Sequence, residues 1–209
     1  MELGPTPPRV YLLSPANTGG ERGRMLLREQ ATFDLAVRLR QTGATIGEIY
    51  SFISGLYFRG KLTYAEAFPA PPQTVPGTLV ISPGAGLLPA SFTIQIQHLI
   101  AMAAVDVDAA NPGFRDPLIR DAQSVRNLTP PDTQFILLSS VATKKYVEPL
   151  LEIFGHNLVF PAEFAGRGDM SRGGLLLRAA RSGTELAYAP VATAARRGPR
   201  PPKLPRLKG

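Results

Sequence analysis

The nine residues Arg9-Val10-Tyr11-Leu12-Leu13-Ser14-Pro15-Ala16-Asn17 decide the fold of this chain. After Arg9 comes a short apolar run of the kind that forms a buried strand, and Ser14-Pro15 ends it. A glycine-rich turn over residues 17–24 then leads into a pattern that predicts a helix. A strand, a polar turn and a helix in this order begin a βαβ unit, which places its strands in parallel.

Two more segments place polar residues and glycines close behind a predicted strand. Residues 82–89 follow a strand predicted over residues 78–81, and residues 167–172 come after one predicted over residues 157–160. In an open α/β sheet, ligands bind in the crevice beyond the carboxyl ends of the strands. The sequence therefore predicts one polar site built from distant parts of the chain.

The rest of the chain alternates helical patterns with short apolar runs. Residues 135–138 are apolar throughout, which predicts a strand buried on both faces, and a short edge strand is expected over residues 185–188. We expect a single α/β domain over residues 9–191, with a mainly parallel central sheet flanked by helices. A disordered N-terminus, residues 1–8, precedes it, and a disordered, basic, proline-rich tail, residues 192–209, follows it. Helices are predicted over residues 21–41, 46–68 with breaks at Gly55 and Gly60, 93–105, 117–127, 144–154 and 171–181.

The chain has no cysteine and two histidines, which excludes several kinds of site. Without cysteine there are no disulfides, thiolate nucleophiles, iron–sulfur clusters or cysteine-ligated zinc. His98 and His156 are neither paired nor placed in a motif with a serine and a carboxylate, and Ser82 is not in a Gly-x-Ser-x-Gly elbow. The sequence therefore predicts no metal site and no cofactor, and it argues against a serine hydrolase.

The sequence shows no segment that targets the chain to a membrane. No apolar run approaches the roughly 18–20 residues that span a bilayer. The proline-rich residues 1–8 lack the basic-then-apolar order of a signal peptide. We therefore expect a cytoplasmic protein with no membrane partner.

The net charge of +7 comes largely from the C-terminal tail. Once the tail's six basic residues are set aside, 17 of the 23 Lys and Arg residues remain against 16 acidic ones, so the body is nearly neutral. The tail is predicted to bind DNA or RNA, because each phosphate that it neutralises releases counterions. The alternative is a solvated terminus that aids solubility. The basic residues of the tail are Arg196, Arg197, Arg200, Lys203, Arg206 and Lys208.

Several side chains in the three segments suit a small anionic or nucleoside-like ligand. Ser14, Asn17 and Ser82 are predicted to orient it, while Gly84 and Gly86 allow the backbone to approach it closely.

Two arginines, Arg167 and Arg172, flank the start of a predicted helix, where the dipole and free N–H groups favour anions. Their guanidiniums are predicted to hold a phosphate or carboxylate. The alternative is that one of them caps a carbonyl or pairs with Glu163 or Asp169.

Proton transfer is assigned to the helix that follows the third predicted strand. A desolvated Lys144 would act as a base or nucleophile and Tyr146 as an acid, although exposed helix lysines are far commoner. Phe58-Arg59-Gly60-Lys61 is expected to interrupt a helix and bring Arg59 or Lys61 to the crevice; the alternative is a turn between two helices. Arg22 and Arg24 in the glycine-rich turn are further candidates for an anion, against the alternative of a flexible connection.

These segments, in this order, resemble those of the YaaA family of bacterial peroxide-stress proteins, also called DUF328 or UPF0246. Ser14-Pro15-Ala16-Asn17 resembles the family's Ser-Pro-Ala-Lys, and Phe58-Arg59-Gly60-Lys61 resembles its Phe-Lys-Gly-Asp. Residues 82–89 resemble Ser-Gly-Leu-Tyr-Gly-x-Leu-x-Pro, and residues 142–146 resemble Ala-Ser-Asp-Glu-Tyr. Residues 167–172 are the most similar, to Ala-Arg-Gly-x-Met-Ser-Arg.

The resemblance covers most of residues 10–177 and implies a compact α/β body, a link to oxidative-stress survival, and DNA binding. Through it, Thr143 and Ser171 join the predicted ligand-binding residues. The chain departs from the family at Asn17, where the family has lysine, and at Lys144-Lys145, where it has an acidic pair.

The chain resembles a distant member of this family whose pocket carries different side chains. Two functions are predicted on this basis. The first is binding of nucleic acid or a nucleotide-like anion in the crevice. The second is an enzyme that acts there on a nucleoside, a base or a similar small metabolite.

Overall fold

The computed structural model describes residues 7–194, 201, 202 and 204. The predicted α/β class is confirmed, because the described residues contain a six-stranded, mostly parallel sheet flanked by helices. The strands are β1 (Arg9–Leu13), β2 (Ala44–Thr45), β3 (Thr78–Ser82), β4 (Gly86–Pro89), β5 (Thr93–Ile94), β6 (Gln134–Leu138), β7 (Leu158–Pro161) and β8 (Tyr188–Pro190). The α-helices are α1 (Glu21–Leu27), α2 (Asp34–Gln41), α3 (Ile46–Ser54), α4 (Leu56–Ala67), α5 (Ile96–Ala103), α6 (Pro112–Leu128), α7 (Lys144–Phe154) and α8 (Asp169–Ser182).

The strand order of the large sheet is β4-β3-β1-β6-β7-β8. β1 is parallel to both β3 and β6, and β6 is parallel to β7, whereas β4 and β8 are antiparallel edge strands. The chain therefore leaves β1 for β3 on one side of it and later returns to β6 on the other. That reversal of direction makes the gap between β1 and β6 the topological switch point of the sheet.

The core lies around the central strands β1 and β6. Their apolar residues, 10–13 and 135–138, are buried at consecutive positions, which confirms the burial on both faces expected for 135–138. Helices that cover both faces of a parallel sheet produce this pattern. None of the helices in residues 7–194 combines the length and apolar character that crossing a membrane requires.

The helix predicted over residues 21–41 is wrong as a single element. It is two helices, α1 and α2, because Arg28 leaves helical geometry with ψ 131°. The side chain of Arg40 then donates hydrogen bonds to the carbonyls of Arg28 and Ala31, which lie outside both helices. These bonds satisfy backbone acceptors that a continuous helix would have used internally.

The break predicted at Gly60 is also wrong, whereas the one at Gly55 is confirmed. Gly55 has φ 60° and separates α3 from α4. Gly60 stays inside α4 because it is a contact point with α8: a Cβ there would lie 2.8 Å from the carbonyl oxygen of Gly173. Phe58-Arg59-Gly60-Lys61 is therefore continuous helix.

Residues 82–89 form a hairpin at the edge of the sheet. β4 pairs with β3, and Gly84 and Gly86 have φ of 75° and 80°, which suits the tight turn that joins the two strands. A Cβ at Gly86 would lie 2.0 Å from Oδ2 of Asp121, the oxygen that accepts a hydrogen bond from the Leu87 N–H. The hairpin is thus held against α6 by packing and a hydrogen bond.

Other helix and strand boundaries differ from the predicted ones by a few residues. The helix expected over residues 117–127 begins earlier, at Pro112, where the side chain of Asn111 accepts a hydrogen bond from Gly113 N at 3.0 Å. The helix expected from residue 93 begins at Ile96, after β5. The edge strand expected over residues 185–188 is β8, which lies slightly later in the chain.

Candidate functional site

A crevice opens at the switch point of the sheet, beyond the carboxyl ends of β1 and β6. Its volume is about 400 Å³, and we call it the switch-point crevice. Ser14 directly follows β1, and Ser139 and Ser140 directly follow β6, so residues from both strand ends line it. Much of the remaining wall is formed by Thr143, Lys145 and Tyr146 around the start of α7 and by Asp169 at the start of α8.

A second cavity of about 560 Å³ adjoins the first. The two share Asn17 and Tyr146 as lining residues, so the polar loop after β1 and the start of α7 border both. Pro83, from the β3–β4 hairpin, and Asp106, from the loop after α5, line the second cavity. Together these spaces fall in the size range of small-molecule sites.

Lys61 lies behind Ser14 and is 1% exposed. Its Nζ is 3.1 Å from the backbone oxygen of Ser14 and 2.7 Å from Ser14 Oγ. It is also 4.0 Å from the centre of the Tyr57 ring. Tyr57 precedes Lys61 by one helical turn, and both therefore lie on the buried face of α4.

The charge of Lys61 is costly in this position. Burial lowers the pKa of Lys61 to about 7, with Asp169 opposing that fall and Arg172 adding to it. Both neutral and charged forms of the amine are therefore accessible near neutral pH.

Arg172 is a buried cation that makes three hydrogen bonds to neighbouring residues. Its Nη1 donates to Asp169 Oδ1 at 3.0 Å, its Nη2 to Ser140 Oγ at 3.3 Å, and its Nε to the carbonyl of Phe164 at 3.3 Å. It thus joins α8 to the loop after β6 and fixes the positions of Asp169 and Ser140 at the crevice.

Tyr57 lines the crevice, and its hydroxyl is buried and makes no hydrogen bond of normal geometry to the described residues, although the Arg172 guanidinium lies near it. The residue is 7% exposed, and burial raises the pKa of its hydroxyl well above the ordinary value, although Arg172 opposes the rise. A buried polar group without a partner is rare in folded proteins and calls for an explanation. A small movement of the Tyr57 ring towards the crevice would let a bound ligand supply the missing partner.

Six of the predicted site residues lie at or next to the switch-point crevice. Asn17 is exposed, and its Oδ1 accepts a hydrogen bond from Gly19 N at 3.1 Å. Thr143 caps α7, with its Oγ1 3.4 Å from Lys145 N. Burial raises the pKa of Tyr146 to about 12, with Asp169 adding to the effect. The six are Ser14, Asn17, Lys61, Thr143, Tyr146 and Arg172.

Lys144, the predicted base or nucleophile, is exposed and does not line the crevice. Its Nζ pairs with Glu148 at 3.2 Å. Arg59 is exposed on α4, while the neighbouring Lys61 is buried. The buried Ser82 donates a hydrogen bond to the carbonyl of Val80 at 3.0 Å, within its own strand β3, and does not line the crevice.

Arg167 and Arg172 do not converge on one space. Arg167 donates to the carbonyl of Glu163 at 3.0 Å and lines a different cavity together with Ser171, Pro202 and Leu204. The separation arises because α8 begins at Asp169: Arg172 lies inside its first turn, whereas Arg167 precedes it. The capping and pairing alternatives describe these two side chains better than a joint anion clamp.

Arg22 and Arg24, the predicted cations of the glycine-rich turn, bind backbone carbonyls. Arg22 and Arg24 donate to the backbone carbonyls of Phe52 and Gly19 at 3.3 and 2.7 Å. The tail residues Arg196, Arg197, Arg200, Lys203, Arg206 and Lys208 lie outside the described residues.

Sequence reasoning missed several lining residues of the crevice. Ser139 and Ser140 carry the same signal as Ser14, since they too directly follow a buried strand. Tyr57 could have been found from its one-turn spacing to Lys61 had α4 been predicted without a break. Asp169 was expected only as a partner of an arginine, and Lys145 was not predicted to bind a ligand.

These features define a class: an α/β protein with a partly enclosed polar crevice at the switch point of a mainly parallel sheet. No protein-family model, no curated protein and no solved structure matches the chain. Within the described residues, no group of three or more His, Asp or Glu side chains is placed to hold a metal ion.

Proposed function

We propose that this protein binds a small, nucleotide-like anion in the switch-point crevice. The observation that carries the proposal is Lys61, an amine that is 1% exposed and lies directly behind a lining residue, Ser14. A buried cation is costly unless an anion or strong hydrogen bonds compensate it. An anionic ligand in the crevice would provide that compensation.

The surroundings of Lys61 favour negative charge further. The first turn of α7 borders the crevice and contains Lys144 and Lys145 but no acidic residue. Free N–H groups at a helix start attract anions, and an exposed Lys145 adds charge at the same place. Asp169, the acidic residue in the lining, is already paired with Arg172.

The dimensions favour a small ligand over a nucleic-acid duplex in the crevice. The two adjoining cavities, of about 400 and 560 Å³, suit a nucleotide-sized molecule. Binding of DNA or RNA through the basic tail stays a prediction, as does the resemblance to the YaaA family with its link to peroxide stress. Ligand binding in the crevice can be tested without relying on either of these two predictions.

The test is a thermal-shift measurement on the full chain with AMP, inorganic phosphate, adenosine and a short DNA duplex. At a hundredfold excess over Kd, a native-state ligand stabilises by about 2.7 kcal/mol. For a domain of this size we expect AMP to raise Tm by roughly 5–10 °C. Inorganic phosphate should give a smaller rise and adenosine little, because adenosine lacks the anion.

Tyr57→Phe is the discriminating variant. It removes one hydroxyl that has no described partner, so the free protein should keep its Tm or gain slightly. AMP should bind roughly tenfold more weakly, because a hydrogen bond to the ligand is lost. Arg181→Met, which removes an exposed cation from the end of α8, should respond to AMP like the unmodified protein.

Two results would overturn the proposal. One is the absence of any shift with both AMP and inorganic phosphate. The other is an AMP shift that Tyr57→Phe leaves unchanged. A shift with duplex DNA alone would place the binding surface outside the crevice and favour the nucleic-acid function.

A further inference from the structure

We propose that Ser14 and Lys61 form a nucleophile–base pair that cleaves an acyl ester bearing an anionic group. The pair rests on the proposed function, because the same crevice must admit the anionic part of the substrate. That part would lie at Lys145 and the start of α7, away from Lys61, so that the amine can act in its neutral form. Ser14 lines the crevice directly after β1, and Lys61 Nζ lies 2.7 Å from its Oγ. A serine within hydrogen-bond reach of a base is the arrangement that activates it as a nucleophile.

The hydrogen bonding of Lys61 suits a base. A neutral amine has two N–H donors and one lone pair. Charged Lys61 donates to both the backbone oxygen and the Oγ of Ser14, at 3.1 and 2.7 Å. In the neutral amine one N–H can keep the bond to the backbone oxygen while the lone pair accepts the Ser14 hydroxyl proton. The first bond fixes the amine, and the second directs it at the nucleophile. Serine–lysine pairs of this kind replace the serine–histidine arrangement in some hydrolases.

The charged neighbours of Lys61 set its protonation state. Asp169 and Arg172 face it from α8, the Tyr57 ring lies against it on α4, and Ser14 covers it from β1. Burial is the largest influence and lowers the pKa of the amine to about 7. A base is most effective when its pKa is close to the working pH.

Tyr57 is suited to stabilise the oxyanion. Tyr57 belongs to the crevice wall, its buried hydroxyl makes no hydrogen bond of normal geometry to the described residues, and burial keeps that hydroxyl protonated by raising its pKa. A small movement of the ring would bring the hydroxyl to the substrate. Lys61 Nζ contacts both residues, since it lies 4.0 Å from the centre of the Tyr57 ring and 2.7 Å from Ser14 Oγ. A hydrogen-bond donor at the developing oxyanion commonly contributes strongly to acyl transfer.

The reaction balances with water as the co-substrate. Ser14 Oγ forms a bond to the ester carbonyl carbon while its proton passes to Lys61 Nζ. The tetrahedral intermediate collapses, the C–O bond to the alcohol breaks, and the alcohol oxygen takes the proton from Lys61. Water then attacks the acyl-Ser14 ester as Lys61 takes a proton from it and returns that proton to Ser14 Oγ. One ester and one water thus yield one carboxylic acid and one alcohol.

This pairing was not evident in the sequence, which argued against a serine hydrolase because neither histidine accompanies a serine. Lys61 lies far from Ser14 in the chain, and only the burial of α4 brings the amine to the end of β1. The structure therefore supplies Lys61, instead of a histidine, as the base for a serine nucleophile.

The experiment is labelling of the full chain with an alkyl fluorophosphonate, followed by intact-mass measurement and peptide mapping. Serine displaces fluoride from this reagent when a base removes its proton. We expect one adduct per chain, located at Ser14, with a rate that rises through a single ionisation near pH 7. Ser14→Ala should abolish the adduct, and Lys61→Met should slow labelling by about a hundredfold or more. Ser124→Ala, at an exposed serine on α6, is the control and should label normally.

Circular dichroism shows whether each variant is folded, and therefore whether slow labelling comes from the lost base or from unfolding. The position of the adduct is measured on the unmodified protein and does not depend on any variant. The proposal is overturned if the unmodified protein forms no adduct at Ser14. It is equally overturned if a folded Lys61→Met labels as fast as the unmodified protein. A Tm shift with AMP but no adduct at Ser14 would support anion binding and reject Ser14 as a nucleophile. An adduct at Ser14 without a Tm shift from AMP or phosphate would support the nucleophile and reject anion binding.

Discussion

Gly173→Ala should lower the stability of the protein by about 3 kcal/mol, with a fall in Tm of roughly 10 °C. Gly173 lies where α8 crosses α4, and a Cβ there would be 2.9 Å from both the carbonyl oxygen of Leu56 and the Cα of Tyr57. These are backbone atoms, so no side chain can rotate away to make room. The two helices must separate, and urea or thermal unfolding of the variant measures the cost.

The neighbouring glycine provides a matched control. A Cβ at Gly174 would meet only the end of the Leu204 side chain, at 3.8 Å, among the described residues. Alanine is favoured over glycine inside a helix by about 1 kcal/mol, so Gly174→Ala should be neutral or stabilising. Equal stability of the two variants would show that α4 and α8 do not approach as closely as the structure has them.

The crossing matters for the site because it determines the position of α4. Gly60 and Gly173 lie against each other, and Lys61 follows Gly60 directly. A wider crossing would move Lys61 away from Ser14 and Tyr57 away from the crevice. We therefore expect Gly173→Ala to weaken AMP binding as well as stability.

The parts of the fold that depend on local signals were predictable from the sequence. β1 and α7 have the predicted boundaries, because each ends at a local stop signal in the sequence. Ser14-Pro15 ends the apolar run of β1, and Gly155 ends the helix α7. β2, β4 and β5 were missed. Each is two to four residues long and is defined by its pairing partner, not by its own pattern.

The candidate site was predictable in position more than in detail. Ser14 and Asn17 follow directly from the rule that ligands bind beyond the carboxyl ends of parallel strands. The role of Lys61 could not be derived in this way, since its burial depends on the contact between Gly60 and Gly173 in distant helices. The separation of Arg167 from Arg172 likewise depends on the residue at which α8 begins, which patterns of this length locate only to within a few residues.

Lys61 should also make the stability of the protein depend on pH in a way that Lys61→Met removes. Burial lowers the pKa of Lys61 to about 7 in the folded protein, from a model-peptide value of about 10.4 in the unfolded chain. Between these two values the unfolded state binds the additional proton, and stability therefore rises with pH. The contribution is fully present above the unfolded pKa and is lost as the pH falls through about 7.

The measurement is urea unfolding of the unmodified protein and of Lys61→Met at intervals from pH 6 to pH 10. Subtracting the two curves cancels the titration of groups that both proteins share. The difference in the free energy of unfolding should change in favour of the unmodified protein as pH rises, with a slope approaching about 1.4 kcal/mol per pH unit. At pH 6, where the buried amine is charged, Lys61→Met should be the more stable protein.

Lys145→Met is the control for net charge, because it removes an equal charge from an exposed position beside the same crevice. The free energy of unfolding of Lys145→Met should rise with pH at the same slope as that of the unmodified protein. Parallel curves for Lys61→Met and the unmodified protein would show that the amine titrates alike in the folded and unfolded states. That result would remove both the buried cation on which ligand binding is proposed and the neutral base on which acyl transfer depends, since each requires Lys61 to be desolvated behind Ser14.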